Sequence, residues 1–470
     1  MDDPSHPDAR TPDDASTLTA AVGAFVAGSG TAEITEETRE LVRRHVLDTL
    51  ASIVACRDLE PAIVARRFAL AHSGDAETSA VTILGTRERA ALVDAVFAGA
   101  MTAHGAEIND FIPSAFVQPG PAVVSTALGL AERRGLSGEA VLRSIAAGYE
   151  LAGRIPKALG VANLRRAGIA NHGVGPVFGA AATAASLIGL PEERIGDVLA
   201  CCAEQASGSG QWMLDVEHIE KSFVFAGMGA RNGLQAVLMV EAGFRGVRGS
   251  LDHPGAWMSS RPFADGDGDR ASLLDLRLGA ELHHTAYKRH PVGGPTQPAV
   301  TALLGILPRV DPGEVERVLV AMPGRWQTFR DAAMPALNLR YLCAVILLDG
   351  RLDFVAAQSL ERMHGDPDVA AFMERVDVVH DPAQESPPGS PRTESATVTV
   401  TLRSGEVIEE HVHHVLGFPS HPMDRSDVEE KAMELMEPLL GAGRARDVVD
   451  HVWELERMDR AGDLATLIAR

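Results

Sequence analysis

The chain has 470 residues, of which 64 are acidic and 43 are Lys or Arg, and its formal net charge is −21 at pH 7. This length exceeds what one hydrophobic core usually organises, so two domains are expected. Such an acidic chain disfavours binding to nucleic acid or to an anionic membrane, because both need a basic face. A small anionic substrate remains possible, since a local basic pocket can exist on an acidic protein.

The four cysteines are Cys56, Cys201, Cys202 and Cys343, and none has CxxC spacing. They are typical of reduced thiols in a cytoplasmic protein. The first residues, MDDPSHPDARTPDD, are acidic and Pro-rich, unlike a signal or transit sequence. No apolar run reaches the roughly 18 residues that a membrane span needs. The sequence therefore predicts a soluble, cytoplasmic protein.

Apolar periodicity predicts a mostly helical chain up to about Arg261. Residues 1–15 are predicted to be disordered. Thr35, followed by two glutamates, is a good start for the first long helix. The predicted helices span 35–56, 61–72, 88–104, 122–134, 138–153, 174–189, 192–206 and 226–242, with a short extended segment at 80–86. Residues 207–220 interrupt this pattern.

The composition changes after Arg261. β-Branched residues alternate over 315–323 and 396–415, which predicts strands, the second segment containing a hairpin turn at Ser404-Gly405. A buried helix is predicted over 334–350 and a mobile loop over 381–395. An amphipathic helical tail follows from Asp427. The pattern indicates a helical part followed by an α+β part.

Four polar residues crowd the end of a helix of small residues: His104, Glu107, Asn109 and Asp110. A Pro-rich loop containing Gln118 follows them. Loops held by rigid helices often carry function. The alternative is that these side chains cap the helix and its loop, and spacing alone does not decide between the two.

Two more candidates lie further along the chain. His172 precedes an apolar helix beside glycines, a position suited to anion binding or acid–base chemistry, although a capping histidine is the other interpretation. Lys221 lies among apolar residues. It is either a surface side chain with a buried stem or a cation that binds a carboxylate.

Basic and aromatic residues stand out in the second part. Lys288, Arg289 and His290 are consecutive, which is costly to bury without an anion but cheap in an exposed loop. Arg340 and Tyr341 form a polar pair in an apolar helix, where Tyr341 is either a proton donor or a core residue that needs a partner.

Other common sites receive no support from the sequence. His411, His413 and His414 invite a metal site, because alternation places the first two on one face of a strand. No Cys or carboxylate set accompanies them, so no metal site is predicted. The chain has no Walker A loop, no dinucleotide fingerprint after a strand and no GxSxG motif, which disfavours nucleotide, dinucleotide and serine-hydrolase functions.

The run HGAEINDF…VQPG…ALGLAE…GLSGE…GYELAGRI resembles the signature of the MmgE/PrpD family. Its members include 2-methylcitrate dehydratases, cis-aconitate decarboxylases and an iminodisuccinate epimerase. Further matching segments follow in the family's order, around His172, Lys221, Lys288, Tyr341 and GFPSHPMD. The chain departs from the signature twice, since Glu107 replaces an Asp and Gln118 replaces a His.

The resemblance implies a mainly α fold, with a large all-helical domain and a smaller α+β lid inserted before the C-terminal helices. The helical domain is expected over 16–261 and 406–470, and the lid over 262–405. The resemblance also implies a homodimer, and a reaction that needs neither a metal nor another cofactor.

The family's chemistry predicts a cofactor-independent lyase that dehydrates a hydroxylated di- or tricarboxylic acid, as 2-methylcitrate dehydratase does. The residues carried over as catalytic are His172, Tyr341, Glu107, Asp110 and Lys288. Those expected to bind substrate are His104, Gln118, Lys221, His290 and Arg340.

Three other functions stay open. They are decarboxylation of an aconitate-type acid, epimerisation of an iminodisuccinate-type acid, and binding of small acids without catalysis on the same fold. Gln118 cannot act as an acid or a base, which disfavours decarboxylation if the family's His is essential to it.

Overall fold

The computed structural model describes residues 17–74, 80–247, 249–264, 266, 268–387 and 394–470. The disorder predicted for 1–15 lies outside these ranges, as do residues 388–393 of the predicted loop. Helices account for 63% of the chain and strands for 9%. The prediction of a mainly α fold with a smaller α+β part is therefore confirmed.

The first part of the chain is an assembly of helices with one small hairpin. Its helices are α1 (Leu18–Ser29), α2 (Glu36–Cys56), α3 (Glu60–His72), α4 (Leu92–Ala103), α5 (Pro119–Arg134), α6 (Gly138–Leu159), α7 (Val161–Arg166), α8 (Asn171–Ile188), α9 (Glu192–Gln205), α10 (Ile219–Ser222), α11 (Met228–Glu241) and α12 (Arg261–Ala264). Strands β1 (Ala80–Thr82) and β2 (Arg89–Ala91) pair antiparallel between α3 and α4.

Local sequence explains where the long helices begin. Thr35 caps α2, its hydroxyl accepting a hydrogen bond from the backbone N–H of Thr38, and two glutamates occupy the first turn. Such caps satisfy N–H groups that the helix leaves unpaired, and the acids complement the helix dipole. Ser137 caps α6 in the same way. The predicted starts at residues 35 and 138 are thus confirmed.

Glycines let α6 and α8 approach closely in the core. A Cβ placed on Gly148 would lie 2.1 Å from Thr183 Oγ1, and one on Gly179 would lie 2.9 Å from the Ala152 Cβ. Contacts under 3.0 Å are not tolerated by packed side chains, so these positions require glycine. The abundance of Ala and Gly in the sequence thus corresponds to closely packed helices.

The second part contains a four-stranded sheet covered by helices. Its strands are β3 (Val315–Met322), β4 (Val376–His380), β5 (Ala396–Leu402) and β6 (Val407–Val412), in the order β4-β3-β5-β6. β3 and β4 are parallel, whereas the other pairs are antiparallel. The helices here are α13 (Gln297–Ile306), α14 (Trp326–Arg330), α15 (Leu339–Asp349), α16 (Phe354–Gln358), α17 (Leu360–Gly365) and α18 (Pro367–Met373).

The chain then returns to the helical part through α19 (Arg425–Leu440), α20 (Ala442–Trp453) and α21 (Leu464–Ile468). Buried residues of these helices, such as Val428 and Val448, belong to the same hydrophobic core as α2, α6 and α8. A separate core lies between the sheet and α13 and α15. The exact domain boundaries at 262 and 405 stay predictions.

Several element predictions were wrong in detail. The helix expected over 88–104 starts only at Leu92, because 89–91 pair with β1. Strand β4 was missed, since its parallel partner is far away in sequence. The segment expected to be irregular up to residue 220 ends in α10, and a π-helical turn (Phe223–Gly227) joins α10 to α11.

Among the residues that the structure describes, one stretch, Ile219–Glu241, is long and apolar enough by composition to cross a membrane. However, 67% of its most apolar window is buried inside the protein. Such burial is typical of a helix that belongs to the core of the fold.

Candidate functional site

The polar residues after α4 enter the interior of the protein. His104, Asn109 and Asp110 are fully buried, and Glu107 is 4% exposed. The loop turns closely against the end of α2, because a Cβ on Gly105 would lie 2.8 Å from the Cβ of Cys56. Buried polar side chains need partners, and those partners divide the four residues into two groups.

Glu107 lies between two lysines from distant parts of the chain. Lys221 Nζ donates a hydrogen bond to Glu107 Oε1, and Lys288 Nζ lies 3.4 Å from Oε2. Lys288 also donates to the carbonyl oxygen of Asn109 at 2.9 Å. Both lysines are buried, at 4% and 2% exposure. We call these three ionisable residues the Glu107 cluster.

The electrostatics of the cluster follow from its burial. Burial alone would raise the pKa of Glu107, but Lys221 and Lys288 hold it well below its usual range. Burial lowers the pKa of the Lys288 ammonium, against the opposing effect of Glu107. Two ammonium groups facing one carboxylate leave one buried positive charge. Such a charge is costly unless an anion compensates it.

Aromatic rings surround the two ammonium groups. The Lys221 Nζ lies 5.4 Å from the centre of the Trp212 ring and 5.3 Å from that of Phe225. The Lys288 Nζ lies 5.3 Å from the centre of Phe111. These cation–π contacts stabilise the charges without neutralising them. The cluster therefore keeps its attraction for an anion.

His172 joins this site through Phe225 and Gln118. It lies in the first turn of α8, where its ring stacks on Phe225 at 3.8 Å between centroids. Its Nδ1 is 2.8 Å from Gln118 Oε1. Burial lowers the pKa of His172 to about 3, with Lys221 acting in the same direction. With the amide oxygen accepting from Nδ1–H, the lone pair of the neutral imidazole is on Nε2, where it can accept a proton.

A pair of histidines, His104 and His218, lies at the edge of Phe225. His218 Nε2 is 3.2 Å from His104 Nδ1, and the His104 ring meets Phe225 edge-on at 5.0 Å. Burial lowers the pKa of His218 to about 3 and that of His104 well below its usual range. His218 has a φ of 64°, a left-handed conformation that is uncommon outside glycine. Backbone of this kind often occurs at functional sites.

Sequence reasoning missed His218. It has no motif of its own, and the interruption at 207–220 gave no helical face on which to place it. The available signal was its spacing, three residues before Lys221, which places both side chains on one side of a helical turn.

Asp110, by contrast, faces a separate buried network. Its Oδ2 accepts a hydrogen bond from the Tyr149 hydroxyl at 2.5 Å, and Oδ1 accepts from the Gly120 N–H at 3.1 Å. His45 Nδ1 lies 2.9 Å from Oδ2, but outside hydrogen-bond geometry. Tyr287 stacks on the His45 ring. These contacts give Asp110 the surroundings of a structural residue that anchors the loop.

The same network fixes the backbone next to Glu107. Lys431, from α19, donates to Asp48 Oδ1 at 2.5 Å and to the carbonyl oxygen of Ile108 at 2.7 Å. Lys288 holds the carbonyl of Asn109 from the other side. Two buried lysines thus hold consecutive peptide groups of this loop, which fixes the direction of the Glu107 side chain.

The remaining predicted site residues make their hydrogen bonds in another part of the protein. Tyr341 donates to the carbonyl oxygen of Ala356 at 2.6 Å within the second core, and burial raises its pKa to about 12. Arg340 donates to the carbonyl oxygen of Met373. His290 Nε2 lies 3.2 Å from Thr301 Oγ1, and burial lowers its pKa to about 4. The structure ties these three residues to the α+β part and does not bring them to the Glu107 cluster.

The exposed histidines and the surface clefts do not belong to the site around the Glu107 cluster. His411 Nε2 and His413 Nδ1 are 2.8 Å apart at the end of β6. Within the described ranges, no group of three or more His, Cys, Asp or Glu residues has the arrangement of a metal site. Two open clefts of about 410 Å³ contain none of the predicted site residues. The buried cluster, rather than either cleft, therefore defines the candidate site.

The fold and the site together define a mainly α protein that holds buried lysines beside neutral histidines, an arrangement suited to small acids. The model of the MmgE/PrpD N-terminal domain matches residues 20–261, and that of the MmgE/PrpD C-terminal domain matches residues 290–455. The chain belongs to the MmgE/PrpD family, which supports a dehydratase-type or related function. A comparison with curated proteins finds no significant match.

Proposed function

We propose that this protein is a cofactor-independent lyase that removes water from a hydroxylated di- or tricarboxylic acid. The observation that carries the proposal is the net positive charge of the Glu107 cluster, buried beside a neutral His172. A substrate carboxylate supplies the missing negative charge. The same ammonium groups stabilise the enolate-like charge that develops when a carbon acid loses its proton.

The residues divide into roles by their contacts. Lys221 and Lys288 hold a carboxylate, and Glu107 keeps both ammonium groups in position. His172 Nε2 removes the proton from the carbon next to that carboxylate. The C–O bond on the adjacent carbon then breaks, and the Lys288 ammonium, acidified by burial, protonates the leaving hydroxide to give water. The products are an unsaturated acid and one water molecule.

The second candidate is an epimerase of an iminodisuccinate-type acid. It is favoured by the two neutral histidine sites around Phe225, His172 on its face and His104 at its edge. One neutral imidazole can remove a proton from the substrate, and the Lys221 ammonium group beside Phe225 can return a proton to the other face. Decarboxylation has less support, because Gln118 cannot transfer a proton.

Location and assembly are part of the proposal. We place the enzyme in the cytoplasm, since its four cysteines are all free and three of them are buried. We expect a homodimer, as the family resemblance implies. We also expect that it binds neither nucleic acid nor membrane, in keeping with the net charge of −21. Light scattering coupled to gel filtration tests the dimer.

The test is proton NMR of the chelator-treated protein in deuterated water, with citrate, 2-methylcitrate, cis-aconitate and an iminodisuccinate-type acid. Olefinic protons from a hydroxy acid support the dehydratase. Solvent deuterium at one carbon without an olefin supports the epimerase, and release of carbon dioxide supports the decarboxylase. Binding without turnover of any acid would leave a non-catalytic acid-binding protein and refute the proposal.

Two variants connect the reaction to the cluster. Lys288→Met is expected to lower kcat by about 10²–10⁴-fold, because it removes the proposed acid. Lys157→Met is the matched control, since Lys157 pairs with Glu281 outside the site. Equal activity of the two variants would contradict the assigned role of Lys288.

A further inference from the structure

Arg57 lies at the C-terminal end of α2 and is not one of the residues of the Glu107 cluster. It is 3% exposed, and its Cβ packs 3.7 Å from where a Cβ on Gly85 would lie. Its guanidinium group is permanently charged, because arginine does not lose its proton in proteins. The surroundings must therefore compensate a buried positive charge.

Most of the Arg57 guanidinium group has no partner that compensates its positive charge. Nη1 and Nη2 are both buried and have no hydrogen-bond partner among the described residues. Asp58 approaches only Nε, at 3.5 Å, and its own side chain is 71% exposed. Two unpartnered amino groups carry four N–H donors, of which one on each nitrogen points in a parallel direction. Buried donors of this kind need a specific explanation, such as an ion or ordered water.

Two further arginines, Arg444 and Arg470, add positive charge to the surroundings of Arg57. Arg444, on α20, donates to the carbonyl oxygens of Thr466, Leu467 and Ala469, and so holds the segment that leads to Arg470. Burial lowers the pKa of Arg57, and the positive charges of Arg470 and Arg444 act in the same direction. These charges increase the need of the buried guanidinium group for an anionic partner.

We propose that the buried Nη1 and Nη2 of Arg57 form a binding site for a small oxyanion, either a phosphate or a carboxylate. The two amino groups of Arg57 supply the parallel donors that such groups accept in bidentate pairs. The bound anion supplies the missing partner of Arg57 at the end of α2. The site does not depend on the proposed catalytic reaction.

Thermal unfolding of the full chain in sodium phosphate and in sodium chloride of equal ionic strength tests the proposal. Phosphate at tenfold excess over its Kd is expected to raise the Tm of the wild type by about 1–2 °C. Arg57→Met should abolish this rise, whereas Arg351→Met, an exposed control, should keep it. In chloride, Arg57→Met should be at least as stable as the wild type, because a buried unpaired charge has been removed.

Three results would overturn the proposal. One is a phosphate effect that persists in Arg57→Met, which would indicate adventitious ion binding. Another is the absence of any effect in the wild type. The third is a loss of stability in Arg57→Met in both salts, which would mean that Arg57 already has partners within the chain.

A second series distinguishes the source of the anion. Titration with malonate in the Lys288→Met background avoids binding at the Glu107 cluster. A larger rise in Tm with malonate than with phosphate assigns the site to carboxylates, and the reverse order assigns it to phosphates. Equal, Arg57-dependent effects still support a general oxyanion site.

Discussion

Acid should destabilise this protein through His218, and the size of the effect follows from its surroundings. Burial lowers the pKa of His218 to about 3, with Lys221 adding to the effect, whereas an unfolded histidine has a pKa of about 6.5. The unfolded chain therefore binds more protons than the folded one between these two values. The contribution of the neutral His218 to the free energy of unfolding is fully present above pH 6.5. It is lost as the pH falls towards 3.

At pH 5 the expected loss from this one residue is about 2 kcal/mol, because 1.5 pH units below the unfolded pKa cost about 1.36 kcal/mol each. The test variant is His218→Asn, since asparagine tolerates the left-handed backbone at this position. Urea unfolding followed by circular dichroism at pH 7 and pH 5 measures the loss. The variant should lose about 2 kcal/mol less than the wild type between the two pH values.

The change in stability between two pH values is measured, because the substitution also has a cost that does not depend on pH. Removing His218 leaves His104 Nδ1 without its partner, which costs about 1–3 kcal/mol at every pH. His364→Asn, at an exposed position on α17, is the control and should behave like the wild type. Equal losses in His218→Asn and in the wild type would refute the reasoning that burial keeps this imidazole neutral.

Three further changes test other parts of the structure. Lys431→Met should cost about 3–5 kcal/mol in urea unfolding, because it leaves the buried Asp48 carboxylate uncompensated, and an unchanged midpoint would contradict the buried pair. Gln118→Glu should raise the pKa of His172, which moves the acidic limb of the kcat/KM profile to higher pH, whereas a profile that does not move would contradict their contact. Gly148→Ala should lower stability by about 1–3 kcal/mol or more in the same unfolding assay, since its Cβ would lie 2.1 Å from a side-chain oxygen of α8.

Local patterns predicted the helices that have clear caps and apolar stripes. The start of α2 at Thr35 and that of α6 at Ser137 are examples, and the β5–β6 hairpin followed from alternation around its Ser-Gly turn. Strand β4 could not be predicted in this way. Its parallel pairing with β3 forms across five intervening helices, so no turn in the neighbouring sequence indicates the strand.

The site shows a different limit of sequence reasoning. Family resemblance and residue chemistry selected Glu107, Lys221, Lys288, His172 and Gln118, and the structure brings these five together. Their roles stay predictions.

Sequence reasoning could not tell which way neighbouring residues of an irregular loop would face. Asp110 is only three positions from Glu107, yet it faces Tyr149 in another network. Tyr341 shows the same difficulty on a helix that is buried on several sides, where sequence alone does not show which neighbour receives the hydroxyl.

The charge of the Glu107 cluster also limits which acids fit this site. One net positive charge is neutralised by one carboxylate, so the further carboxylates of a di- or tricarboxylic acid must meet other cations. Arg165 is one such cation, since its charge acts on His172 and its guanidinium group lies 5.4 Å from the centre of the Phe116 ring. We propose that a substrate whose first carboxylate binds the buried lysines directs a further carboxylate towards Arg165.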